Sequence, residues 1–207
     1  MHLYLTSKFN FVAKPILAQL KKEGIKKILV IPTAAEPEKG DLSWLEDDKR
    51  VFTHAGFEVK EFSITNKARK EVEDALADSD AIFVTGGNCF YLLQELKRKG
   101  VDLAFLEAIR QGKPYIGSSA GSVIMGESVE IVKGADKEEE APDLNSYDGL
   151  KLVDLSILPH WGSIKEGRRE RKIKALAEFY DANLKILLLR DNQYIRVEGK
   201  VWSVKDI

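Results

Sequence analysis

The run YIGSSAGSVIMG, residues 115–126, sets two serines side by side between glycines, with apolar residues before and after. Gly117-Ser118-Ser119-Ala120-Gly121 matches G-x-S-x-G, the nucleophile elbow, in which a sharp strand-to-helix turn holds one hydroxyl out in a strained conformation. The flanks of such a serine must be small, because backbone and neighbouring segments approach closely there. Gly117, Ala120 and Gly121 meet that demand around Ser119, whereas Ser118 would be flanked by Ile116 and Ala120. Ser119 is the expected nucleophile. The competing reading is a small-residue turn needed only for packing.

A serine nucleophile needs a base and donors for an oxyanion. Of the three histidines, His2 falls in the first expected strand and His54 in a helical stretch before Gly56. His160, in ILPHWG, follows a strand and sits between Pro159 and Trp161, so elimination and placement favour it as the base. A carboxylate should orient the imidazole and stabilise its charged form. Asp191 directly follows KILLLR at a strand end; acids of the 136–143 loop, Glu138 and Asp143 among them, are alternatives. The N–H of Ala120 follows the nucleophile and suits an oxyanion. A second donor could come from Gly87 or Asn88, in the TGGN that leaves the preceding strand. A phosphate cradle fits less well, because neither G-x-G-x-x-G nor a P-loop lysine follows.

These residues need a frame to bring them together. HLYLTS reads as a first strand and residues 9–23 as a helix carrying Phe9, Val12, Ile16, Leu17 and Leu20. KKILVIPTA is a near-continuous apolar run, the mark of a strand buried on both faces. A helical stretch at 42–54, strand FEVKEFSI, helix KARKEVEDALADS, strand DAIFVTGG and helix CFYLLQELKRKG follow. A helix at 101–111 and strand KPYIGS then lead to the serines. KGADKEEEAPDLNSYDG reads as an exposed loop, LKLVDLSILPHWG as a strand-like run and residues 165–180 as a helix. LKILLLRDN, QYIRVEG and KVWSVKD close the chain as strands, the last two a hairpin around Gly199. The alternation predicts an α/β fold: a mostly parallel sheet covered by helices on both faces, in a single domain over 1–207. Ligands in such sheets bind at the carboxyl ends of the strands. There lie Pro32–Ala35, Gly86–Asn88, Gly117–Gly121, Pro159–Gly162 and Asp191–Gln193.

Bulk properties narrow the partners. The 207 residues are 44% hydrophobic, and 32 Lys+Arg nearly cancel 33 Asp+Glu, for a formal net charge of -1. That gives no global pull toward nucleic acid or an anionic membrane. No apolar run approaches the roughly 20 residues of a membrane-spanning helix, and MHLYLTSKFNFVAKP lacks the layout of a signal peptide. One cysteine, Cys89, excludes an intrachain disulfide and points to a reducing, cytoplasmic setting.

Together, FVTGGNCFYLL, PYIGSSAGSVIMG, LPHWG and DNQYIRVEG, in that order over residues 83–199, resemble the signature segments of the dipeptidase E family of serine peptidases, peptidase family S51. The resemblance implies a fold similar to the class I glutamine amidotransferase domain, with serine in place of the elbow cysteine. It puts the acylated serine on Ser119, the base on His160 and the acid on Asp191, with Glu138 near a second acidic position. It puts the oxyanion donors on Gly87 and Ala120, with Asn88 on the substrate side. Aspartyl dipeptidases of the family read the substrate's N-terminal aspartate with an arginine downstream of the histidine. In KEGRRERKIKAL the matching residue is Arg169, beside Arg168 and Arg171, after a segment shorter than in those relatives.

The expected activity is hydrolysis of short peptides, without metal or other cofactor, and with a homodimer left open. Two other readings remain: an α/β-hydrolase-type esterase, in which the acid normally precedes the histidine, and a non-catalytic binding module on the same fold.

Overall fold

The computed structural model describes residues 1–163, 168–179 and 185–207, without the side chains of residues 168, 169 and 179. Its main sheet holds β1 (His2–Thr6), β2 (Lys27–Ile31), β3 (Glu58–Glu61), β4 (Ala81–Val84), β5 (Tyr115–Ser118), β8 (Gln193–Glu198) and β9 (Val201–Asp206). The spatial order is β3-β2-β4-β5-β1-β8-β9. The first five strands run parallel, and β8 and β9 add an antiparallel hairpin around Gly199. A separate parallel pair, β6 (Ser156–Leu158) and β7 (Ile186–Leu188), lies outside it.

Both faces of the sheet are covered, which is why its central strands read as unbroken apolar runs. On one side α1 (Phe9–Lys22) and α2 (Ser43–His54) pack on Ile28, Val30, Phe83 and Ile116. Phe9 stacks on Phe52 at 4.7 Å and meets Phe83 at 4.8 Å between ring centroids. Each such buried ring contributes roughly 1.5–3 kcal/mol. The opposite face takes the alternate strand residues Leu29, Ile31, Ile82 and Val84. There α3 (Arg69–Ala77), α4 (Cys89–Lys97), α5 (Val101–Arg110) and the single turn α6 (Ala120–Val123) cover them. No described helix is long and apolar enough to cross a membrane.

The expected strand-like run LKLVDLSILPHWG is mostly something else: only residues 156–158 pair as a strand. The amides of Leu150, Lys151 and Leu152 instead donate to the carbonyls of Ile124, Gly126 and Met125, just beyond α6. Backbone spent on closing that turn cannot also form a ladder. The same segment still buries Leu150, Val153 and Leu155, which explains its apolar look. The following helix, α7, runs Arg168–Phe179; the remainder of the expected 165–180 span lies outside the described residues.

Candidate active site

The elbow takes the shape its composition predicts. Ser119 has φ 49° and ψ −106°, a sparsely populated region that costs on the order of 1–3 kcal/mol for a non-glycine residue. Surrounding bonds hold it there. Its N–H donates to the Thr6 carbonyl at 3.0 Å, and its own carbonyl accepts from the amides of Ser122 and Val123. Ser122 Oγ also donates to the carbonyls of Thr6 and Gly117, tying β1, β5 and α6 together. The glycines are steric requirements: a Cβ on Gly117 would lie 2.5 Å from the Gly121 oxygen, and one on Gly121 2.3 Å from the Val84 oxygen.

Ser119 Oγ lies 3.0 Å from His160 Nε2, and His160 Nδ1 lies 2.7 Å from Asp191 Oδ1. Burial alone would raise the Asp191 pKa, but hydrogen bonds from His160 and Ser7, with the charges of His160 and Lys8, lower it to about 2. An ionised carboxylate only accepts, so the Nδ1 proton points at Asp191 and Nε2 is left to accept from Ser119. The arrangement can draw a proton from a serine hydroxyl and return it elsewhere.

Two residues to which sequence reasoning assigned no role hold the histidine in place. Ser7 Oγ donates to Asp191 Oδ1 at 2.7 Å and accepts the His160 amide at 2.6 Å. It directly follows β1, so the rule that sites gather at strand ends should have included it. Lys172, buried on α7, donates to the carbonyls of Pro159 and His160. It lies within a basic run that reads as a solvated face. The only sequence signal is its spacing from the buried Ala175, three residues on. These bonds, with the Trp161 amide on the Leu189 carbonyl, hold His160 at φ 56°, itself a strained value.

Gly86 packs against Ser119: a Cβ there would come within 3.3 Å of Ser119 Cβ and 3.7 Å of the edge of Trp44. Gly87, at φ 129°, has no room for a side chain, since a Cβ would sit 2.0 Å from the Ala34 oxygen. Among the described residues, the amides of Gly87 and Ala120 have no protein acceptor, leaving two donors beside Ser119.

Other expectations land differently. Asn88, expected on the substrate side, is buried: its Oδ1 caps α4 at the Tyr91 amide and its Nδ2 donates to the Lys137 carbonyl. Helix capping and loop tethering occupy both polar ends of that side chain. Glu138 accepts from Tyr147 Oη, and Asp143 pairs with Arg98, so the carboxylate bonded to His160 Nδ1 is Asp191. The Arg169 and Arg168 side chains lie outside the described residues, and Arg171 is exposed. Burial pushes the Cys89 thiol pKa well up, consistent with a packing role. Among the described residues, no three His, Cys, Asp or Glu side chains cluster to hold a metal ion.

A helix-covered parallel sheet with a strained serine at its carboxyl edge, a histidine on that serine and an aspartate on the histidine is the layout of an elbow hydrolase. The model of peptidase family S51 matches residues 3–204, and the chain belongs to that family; it is a peptidase. An uncharacterized peptidase of Listeria innocua is 36% identical over 201 residues, covering 94% of this chain and 95% of its own. The Drosophila melanogaster protein named probable alpha-aspartyl dipeptidase is 30% identical over 189 residues, covering 87% of this chain and 72% of the fly protein. A crystal structure of a Listeria monocytogenes EGD-e protein assigned as a peptidase E superposes with a TM-score of 0.89 at 35% identity, covering 100% and 98% of the two chains.

Proposed function

We propose that this peptidase is of the serine type and hydrolyses short peptides, with dipeptides bearing N-terminal aspartate as the first candidates. The observation that carries the reading is the unbroken hydrogen-bonded line Ser119–His160–Asp191, ending on a serine in a strained backbone conformation. Ser119 Oγ attacks the scissile carbonyl carbon while His160 Nε2 takes its proton. The Gly87 and Ala120 amides receive the oxyanion. Collapse of the tetrahedral intermediate moves the proton from His160 to the departing amine and leaves an ester on Ser119. Water, deprotonated by the same nitrogen, then releases the acid. Asp191 stays ionised and stabilises the imidazolium formed in both halves.

The aspartate preference rests on Arg169 and on the name of the fly relative. A guanidinium pairs a carboxylate in bidentate fashion, which suits such a reader. Hydrolysis of Asp-X, Glu-X and Ala-X dipeptides, with Ser119→Ala and Arg169→Ala variants, tests both levels. Turnover should vanish without Ser119 and, for Asp-X, fall sharply without Arg169. Turnover indifferent to Arg169 removes the aspartate preference and leaves the serine mechanism. A folded protein that hydrolyses no peptide overturns the reading in favour of a binding role.

A further inference from the structure

Lys8 stands between two residues that already touch the reaction centre. Ser7, before it, is bonded to both His160 and Asp191. Phe9, after it, donates its amide to Ser118 Oγ, one residue from the nucleophile. The Lys8 backbone is thus fixed on the rim of the cleft. Its side chain is half-buried, and its ammonium lies 4.4 Å from the centroid of the Phe11 ring, which is itself exposed. Among the described residues no carboxylate comes within ion-pair distance of it. The field of this cation nevertheless reaches Asp191 on one side and Asp48 on the other. A lysine held at a catalytic cleft without a counter-ion suits an anionic group of the ligand.

The chemistry says which group. His160 delivers its proton to the departing amine, so the departing residue must lie on the His160 side, where Ser7 and Lys8 are. In a dipeptide that residue carries a free carboxylate two bonds from the amine nitrogen. We propose that Lys8 binds the C-terminal carboxylate of the departing residue, making the site selective for peptides whose scissile bond is the last one. The proposal rests on the serine-peptidase reading for its orientation. The Phe11 ring holds the Lys8 ammonium itself through a cation–π contact, which narrows the positions it can take.

The test separates carboxylate recognition from general damage. Binding of Asp-Ala and of Asp-Ala amide to the Ser119→Ala protein is measured by calorimetry, with and without Lys8→Met or Lys8→Arg. The acid should bind about ten-fold more tightly than the amide, as expected for a charge-assisted contact in a partly buried site. Lys8→Met should erase that difference by weakening only the acid, and Lys8→Arg should keep part of it. With Ser119 restored, Lys8→Met should raise KM for Asp-Ala with little change in kcat. Equal losses for acid and amide, no loss, or no measurable binding of either ligand overturns the proposal. If the Ser119 protein hydrolyses nothing while the acid–amide difference follows Lys8, the peptidase reading falls and Lys8 remains a carboxylate reader.

Discussion

Ser118 and Ser119 are chain neighbours, and each has a carboxyl group nearby, yet the two sides of the elbow are built for opposite ends. Ser118 is 4% exposed; its hydroxyl accepts the Phe9 amide and bonds the buried carboxyl of Asp48. Ser119 is turned out at positive φ toward His160, with Asp191 behind the ring. Burial raises the pKa of both carboxyls. At Asp48 burial wins, against the Asn10 amide, the Lys8 charge and the Ser118 hydroxyl, and the pKa rises to about 7. At Asp191 the hydrogen bonds from His160 and Ser7, helped by the charges of His160 and Lys8, overcome burial and the pKa falls to about 2. Burial alone therefore does not set a carboxyl's charge here. The balance between burial and the surrounding donors and charges does.

The sharpest way to break the contrast is Asp191→Asn. The amide can present its NH₂ to Nδ1 and favour the wrong imidazole tautomer, so kcat for peptide hydrolysis should fall by about 10³–10⁴ with the fold intact. A loss of less than ten-fold would mean that the acid does not act through His160.

Asp48→Asn probes the other carboxyl by stability instead. Folded Asp48 keeps its proton up to about pH 7, whereas the unfolded chain loses it near 4. The native state binds more protons over that window, so this group's contribution to stability falls as pH rises from 4 to 7 and then levels off. Asp191 works the other way: its stabilisation is present above pH 4 and is lost as pH falls toward 2. In urea unfolding, the stability of Asp48→Asn relative to the unmodified protein should improve by a few kcal/mol between pH 5 and pH 8. A difference independent of pH would refute the assignment of a buried, protonated carboxyl.

The smallest expected effect belongs to Ser118→Ala. Removing the acceptor of the Phe9 amide should cost about 1–2 kcal/mol in stability, while turnover changes only a few-fold. A turnover loss as large as that from Ser119→Ala would erase the distinction between the two serines.

Much of this division is legible in the string. Gly117, Ala120 and Gly121 single out Ser119 as the elbow centre, and the structure shows why the glycines are needed: a Cβ on either would lie 2.3–2.5 Å from a backbone oxygen. The alternation of apolar strands and amphipathic helices specifies the layered sheet, since burial on two faces demands it. His160 follows by elimination and placement. Other features depend on distances across the sheet that no spacing encodes. Ser7 lies 153 residues from the histidine whose amide it accepts, and Asp48 reaches Ser118 only because α2 packs beside α1. Lys172 reads as surface until α7 turns it toward His160. Asn88 looks available until its capping bonds are seen.

Local sequence by itself determined the elbow turn, the serine at its centre and the order of elements, because sterics and periodicity act over a few residues. Tertiary structure alone decided that Asp191, and not Glu138, bonds the histidine, and that Ser7 and Lys172 brace it. Hydrogen bonds form between atoms that folding brings within about 3 Å, whatever their separation in the chain.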